Sequence, residues 1–357
     1  MRDKTLDHLR CLAMLQVIVV HALYWPDFFS SARINLYKSL LLFEMPLFFF
    51  VTGASSGYSR EESPWTFVRK RWLRILIPYW VYALICAALS IAHAAGTAGA
   101  VEGKEALRIL LSWILPINRQ ITELPYLDYA VWFVPVYLAV TAVLPLLREM
   151  RKSRAGGIAC AFALGLLYAL SLKAEAGWLR YPAFYLLWTF AGLYYPEIRR
   201  AGTARWYLPA ALSALALLGL RLAGQNLDMQ VHKFPPDPVF LVFSIFWMSL
   251  LLAGRKGLDA TMDRAQRVPV LSRLVDCFSH RTTTVFLYQS FAFYASAGIS
   301  TLLVPARLPW IRLLVCFPLT LLFCVLLAAV FGPIEGRIRR RGKGKTAGND
   351  RGEEKPG

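Results

Sequence analysis

The sequence lacks the cysteine spacing of a metal site. Its six cysteines (Cys11, Cys86, Cys160, Cys277, Cys316 and Cys324) are scattered, nearly all within apolar stretches. No Cys-x-x-Cys or mixed Cys/His spacing marks zinc and no pattern marks a disulfide framework, so no metal is expected. Negative charge is scarce: 22 Asp and Glu stand against 40 Lys and Arg, for a formal net charge of +18. In a soluble protein that excess would suggest nucleic acid. Here 57% of the residues are hydrophobic. The excess therefore reads as a positive-inside bias facing anionic lipid, and no nucleic-acid partner is expected. The apolar runs are long and do not alternate, which excludes an outer-membrane barrel. A small-residue cleavage site is missing after the first run, so that run is expected to act as a signal anchor. No internal repeat is visible, which disfavours inverted-repeat transporter folds. No appended soluble catalytic domain is expected.

What is present is a series of apolar runs, near residues 8–25, 36–56, 73–93, 129–147, 157–172, 180–195, 207–223, 238–253, 283–301 and 309–332. They predict an all-α polytopic membrane helix bundle with about ten transmembrane helices. With the N-terminus inside, the inner segments hold 29 of the 40 Lys and Arg. Both termini are therefore expected to be cytoplasmic. Residues 1–336 form the expected transmembrane domain, and residues 337–357 a basic, disordered cytoplasmic tail. Two outer loops are long. Residues 94–128 contain a short apolar helix at Ala106–Leu115, and residues 224–237 include His232-Lys-Phe-Pro-Pro.

Several polar side chains sit where an apolar helix needs a reason to carry them. Arg10 and His21 lie eleven residues apart in the first run. On a helix that is about three turns, so they share a face and stand roughly 16 Å apart along the axis. Glu44 in the second, antiparallel run falls at a depth comparable with His21, where a carboxylate can orient an imidazole. Arg71 and Arg74 are neighbours on one face at the inner start of the third run. They read either as stop-transfer charge or as a guanidinium fork for phosphates, with Arg10 at the same membrane face. Pro46 and Gly53 bend the second run or allow close packing. Trp132 reads as an interfacial anchor or a stacking platform for a sugar. Trp113, Tyr126 and Tyr129 are further outer-loop aromatics that suit sugar stacking. The paired prolines stiffen the outer loop and present His232 and Lys233 toward the membrane mouth. Gln289 and Arg312 are polar groups in the ninth and tenth runs.

Together these segments resemble the acyltransferase-3 family of integral-membrane acyltransferases in its standalone form. Asp7-His8-Leu9-Arg10 followed by His21 is similar to its Arg-x10-His first-span signature. Met45-Pro-Leu-Phe-Phe-Phe-Val-Thr-Gly53 is similar to its second-span motif. Arg71-Trp-Leu-Arg74 resembles its Arg-x-x-Arg entry to the third span, and Val131-Trp-Phe-Val and His232-Lys-Phe-Pro-Pro are also similar to family segments. Two positions depart: His8 stands where a small residue is common, and Gln289 where many members have histidine.

The resemblance implies an O-acetyltransferase-like enzyme of the bacterial inner (cytoplasmic) membrane. It would move an acyl group, acetyl rather than succinyl in the usual case, from cytoplasmic acetyl-CoA to a hydroxyl of an extracytoplasmic carbohydrate or lipid-linked glycan. Acyl-CoA is then a donor substrate, and no cofactor is held permanently. His21 would be the catalytic base with Glu44 beside it. Arg10, Arg71 and Arg74 would hold the CoA phosphates, and Trp132, His232 and Lys233 would meet the acceptor. A transporter of an acyl or glycan species without chemistry, and a scaffold that binds anionic lipid or a partner, remain open readings at this point.

Overall fold

The computed structural model describes residues 3–24, 32–59, 63–116, 124, 127–129, 131–173 and 177–349. The helices in chain order are α1 (Lys4–Tyr24), α2 (Ala32–Ser39), α3 (Glu44–Gly57), α4 (Pro64–Ala98), α5 (Gly103–Ile114), α6 (Phe133–Arg151), α7 (Arg154–Lys173) and α8 (Arg180–Leu193). They continue with α9 (Tyr195–Arg200), α10 (Tyr207–Leu222), α11 (Met229–Lys233), α12 (Pro238–Ala253), α13 (Arg255–Ala265), α14 (Pro269–His280), α15 (Thr282–Leu303) and α16 (Pro309–Asn349). Among the described residues no β-strand forms, so the chain is an all-α bundle.

Six segments are long and apolar enough to cross a membrane: Lys4–Tyr24, Ile34–Gly57, Pro64–Thr97, Phe133–Arg151, Arg154–Lys173 and Pro309–Arg337. Pro238–Ala253 with Arg255–Ala265 makes a seventh if this pair, bent by 65°, is taken as one span. Three of the ten expected runs fall short. α8 and α10 have 14 and 16 residues, or roughly 21 and 24 Å against a hydrocarbon core of about 30 Å. α15 is long enough, but hydroxyl side chains and Gln289 dilute it. Such a composition suits a helix packed among other helices rather than against lipid. α16 continues past Arg337 to Asn349, so most of the segment expected as a tail is helical. Residues 350–357 lie outside the described residues, as do Trp25, Pro26 and Tyr126.

α1 is the centre of the bundle and touches α3, α13, α14, α15 and α16. Its inner end is tied to α13: His8 Nδ1 lies 2.7 Å from Asp259 Oδ1, and the Thr5 hydroxyl donates to Asp259 Oδ2 at 2.7 Å. His8 is thus a buried link between helices.

The second span is broken. α2 ends at Ser39, a tight turn covers Leu40–Phe43, and α3 starts at Glu44. Pro46 therefore sits in the first turn of a helix, where its missing N–H costs nothing. The break leaves backbone carbonyls inside the bundle, and Gln16 Nε2 donates to that of Leu41 at 2.7 Å. Below the break α3 lies backbone to backbone against α8. A Cβ at Gly53 would stand 1.9 Å from the Thr189 carbonyl oxygen, and one at Gly192 2.0 Å from that of Phe50. Glycine at both positions is what allows the approach.

α4 begins with Ser63 accepting from the Thr66 N–H and Pro64 at its first turn, and ends at Gly99 with φ +80. α5 folds back on it. Trp113 is fully buried there, its indole N–H donating to Ser90 at 3.1 Å, so this aromatic is enclosed and cannot stack on a sugar.

Candidate active site

The helix α1 carries His21 one turn before its outer end, half-buried. Its described side-chain partner is Gln289 of α15, fully buried, with Oε1 3.1 Å from His21 Nδ1. Gln289 Nε2 donates to the Phe286 carbonyl at 2.8 Å. That bond orients the amide, because a carbonyl can accept only from the NH2 end. Oε1 then faces the imidazole and accepts from Nδ1–H, which leaves the lone pair of neutral His21 on Nε2. Phe293 packs edge-on to the ring at 6.1 Å.

Glu44 goes elsewhere. Its Oε1 is ion-paired with Lys233 of α11, and both side chains are only 4% exposed. Glu44 Oε2 is buried without a described hydrogen-bond partner. The carboxylate was expected to orient His21; the structure pairs Glu44 with Lys233 and His21 with Gln289. The charge of Lys233 is felt at His21. The carboxylate also stands in the first turn of α3, where the helix dipole favours an anion.

The outer loop ends differently from the expectation as well. His232 Nδ1 lies 2.6 Å from Asp237 Oδ2, and Nε2 lies 2.8 Å from the Asn226 carbonyl. Both nitrogens serve the loop itself. Asp237 also accepts from the Phe240 N–H at 3.0 Å and so caps α12. Trp132 is half-buried, with ring contacts to Tyr181, Tyr185 and, at 5.7 Å and 90°, Phe234. Trp132 and Lys233 are thus brought to one place through Phe234.

At the inner side Arg10 is held by Asp7 at 2.8 Å and by the Ser55 hydroxyl. Arg71 reaches the Ser59 hydroxyl at 3.4 Å and lies 4.3 Å from the Phe67 ring centre. Ser55 and Ser59 are four positions apart, on the order of 6 Å at helical rise, so Arg10 and Arg71 converge on the inner end of α3. Arg74 points away, its guanidinium 3.7 Å from the buried Glu335, which also accepts from the Thr284 N–H and hydroxyl. Arg148 at the end of α6 joins Arg71: it donates to the Ser59 carbonyl at 3.2 Å and lies 4.9 Å from the same Phe67 ring. In the sequence Arg148 is one of several topology charges, and nothing local singles it out.

A continuous chain of contacts connects the two ends. Arg71 is beside the Tyr137 hydroxyl. Tyr137 packs on Phe133 at 5.5 Å, Phe133 on Phe286 at 4.8 Å, and Phe286 holds Gln289 against His21. A family model described as an acyltransferase domain, the acyltransferase-3 family, matches residues 3–329 and so includes every one of these links. The chain belongs to this family. Comparison with curated proteins and with solved structures gave no match. The protein is a multi-pass membrane acyltransferase, as the first three spans suggested. In this acyltransferase Gln289 holds His21 through its amide.

Proposed function

We propose that this acyltransferase moves an acetyl group from cytoplasmic acetyl-CoA to a hydroxyl of an extracytoplasmic carbohydrate or lipid-linked glycan. The observation that carries the reading is the His21–Gln289 bond. It leaves Nε2 as a base at one end of the contact chain whose other end is a cluster of arginines.

The step balances without a further reagent. His21 Nε2 takes the proton of the acceptor hydroxyl as its oxygen attacks the thioester carbonyl. The C–S bond breaks, the thiolate takes the proton from the imidazolium, and an ester and free CoA leave. Gln289 Oε1 accepts from Nδ1–H throughout and keeps the ring oriented. Lys233 has three donors and gives one to Glu44, so charge that develops on the thioester oxygen has an ammonium nearby. Arg10 and Arg71 at the inner side suit the CoA phosphates, with the pantetheine arm covering the roughly 16 Å to His21. A cytoplasmic donor and an outer acceptor fit a protein of the bacterial cytoplasmic membrane.

The test is a comparison of surface glycans by mass spectrometry from cells with the wild-type gene, a deletion and His21→Ala. The expected result is loss of an acetyl mass increment in both altered strains. In purified protein, acetyl transfer should fall about 10²–10⁴-fold, the usual contribution of a general base. A His21→Ala protein that acetylates its acceptor at the normal rate overturns the proposal.

A further inference from the structure

We infer that the acceptor is an acidic glycan whose single negative charge, a sugar carboxylate or a phosphodiester, is held by Arg180; this rests on the glycan-transfer reading above. Arg180 opens α8 at the outer side and is half-buried. Of the five N–H groups of a guanidinium, one donates here to the Leu172 carbonyl at 3.3 Å. The Nε–H is buried without a hydrogen-bond partner, and among the described residues the side chain has no carboxylate partner. The cations of the facing loop are matched: Lys233 is paired with Glu44, and His232 with Asp237 at 2.6 Å. Asp237 is further committed to the Phe240 N–H. Among these groups Arg180 carries the charge that has no counter-ion.

The charge stands beside rings that suit a sugar. It is felt at the hydroxyls of Tyr168 and Tyr181. The Tyr168 hydroxyl donates to the Pro236 carbonyl at 3.4 Å, and a Cβ at Gly177 would stand 3.8 Å from Pro235. The start of α8 therefore lies against the outer loop. Tyr181 follows Arg180 in the chain and packs with Trp132 at 5.8 Å and Phe234 at 6.4 Å. One turn further on, the Tyr185 ring lies 6.2 Å from Trp132, and its hydroxyl is buried without a hydrogen-bond partner. One group of rings thus has a spare donor at Arg180 and another at Tyr185.

A buried donor without an acceptor is costly, so an acceptor from outside the chain gains by meeting it. A guanidinium takes a carboxylate or a phosphate through two parallel N–H bonds. A sugar ring stacked at Trp132 can offer a hydroxyl to Tyr185 and an acidic substituent to Arg180. One unmatched positive charge suits a monoanion. Sugar carboxylates and phosphodiesters are monoanions, whereas a phosphate monoester carries nearly two charges.

Surface glycan purified from the deletion strain is offered, with acetyl-CoA, to wild type, Arg180→Ala and Arg180→Lys in neutral detergent and in phosphatidylglycerol nanodiscs. It is used untreated, after carbodiimide and borohydride reduction of its carboxylates, and after cleavage of its phosphodiesters with hydrogen fluoride. On one of the two treated forms wild type should lose on the order of tenfold or more in kcat/KM, mostly through the KM for glycan, as expected for charge-assisted bonds. The treatment that acts names the source of the anion. Arg180→Ala should show the loss already on untreated glycan and be indifferent to treatment. Arg180→Lys, which keeps the charge but not the planar fork, should retain part of the preference. Wild type that uses all three forms equally overturns the inference, and this arm needs no variant to fold. So does Arg180→Ala that still prefers untreated glycan. An Arg180→Ala defect present in nanodiscs and absent in detergent gives the guanidinium to a lipid headgroup and overturns it as well. Wild type that acetylates none of the three forms removes the glycan-transfer reading itself, and this inference with it.

Discussion

His232 holds its loop through Asp237 and the Asn226 carbonyl. Burial works against the imidazolium, but the Asp237 hydrogen bond, the Asn226 carbonyl and the charges of Asp237 and Asp228 outweigh it and raise the pKa above the ordinary 6.5. Two acceptors at the two ring nitrogens require two N–H groups, which only the cation has. A raised folded-state pKa gives stability that is complete below about 6.5 and fades as pH rises through the folded value. Thermal denaturation of wild type and His232→Gln should therefore converge as pH is raised from 6 toward 9. A stability difference that stays level over that range contradicts the assignment. The sequence revealed the stiff segment before Pro235 and Pro236 but not which way the ring faces. The same limit applies at Gln289. It was recognisable as an amide inside a span, but its partner lies 268 positions earlier. Arg10 and His21 were legible because their relation is local, three turns of one helix.

The helix pair α3 and α8 behaves as one unit because glycine removes the side-chain layer between them. Gly53→Ala must push the Thr189 carbonyl aside and should cost about 1–3 kcal/mol, as overpacking does. Gly57→Ala, with no atom within 4 Å of the new Cβ, should be neutral or raise stability by up to about 1 kcal/mol, since alanine is the better helix former. Thermal shift in detergent separates the two, and equal effects would contradict the packing account. Close approach at Gly53 was readable from the sequence. The interruption at Leu40–Phe43 was not, because residues 36–56 are a nearly continuous apolar run and Pro46 suggested a bend inside a helix. What decides the break is tertiary: Gln16 is there to satisfy the Leu41 carbonyl.

At the scale of the whole molecule, a buried ion pair joins the start of α3 to α11, in the loop before α12. Glu44→Ala should leave Lys233 buried and unpaired and cost about 3–5 kcal/mol, whereas Glu44→Met combined with Lys233→Met should recover much of the stability. Thermal unfolding of the single and double variants checks this, and additive losses would show that the two groups do not act as a pair. The fold class followed from the apolar runs. The span count did not, because α8 and α10 are too short to judge by apolarity alone. Arg148 was hidden for a related reason: charge at an inner helix end looks the same whether it fixes topology or faces a ligand.

The Glu44–Lys233 pair also has a direction in time. Its members are 189 residues apart, and a ribosome adding about 5–20 residues per second needs on the order of 10–40 s to pass from one to the other. For that interval the acid is inside the nascent bundle with only the start of α3 to stabilise it. The outer end of the site therefore closes late in synthesis, and a chain stopped before residue 233 leaves Glu44 with no ammonium to neutralise it.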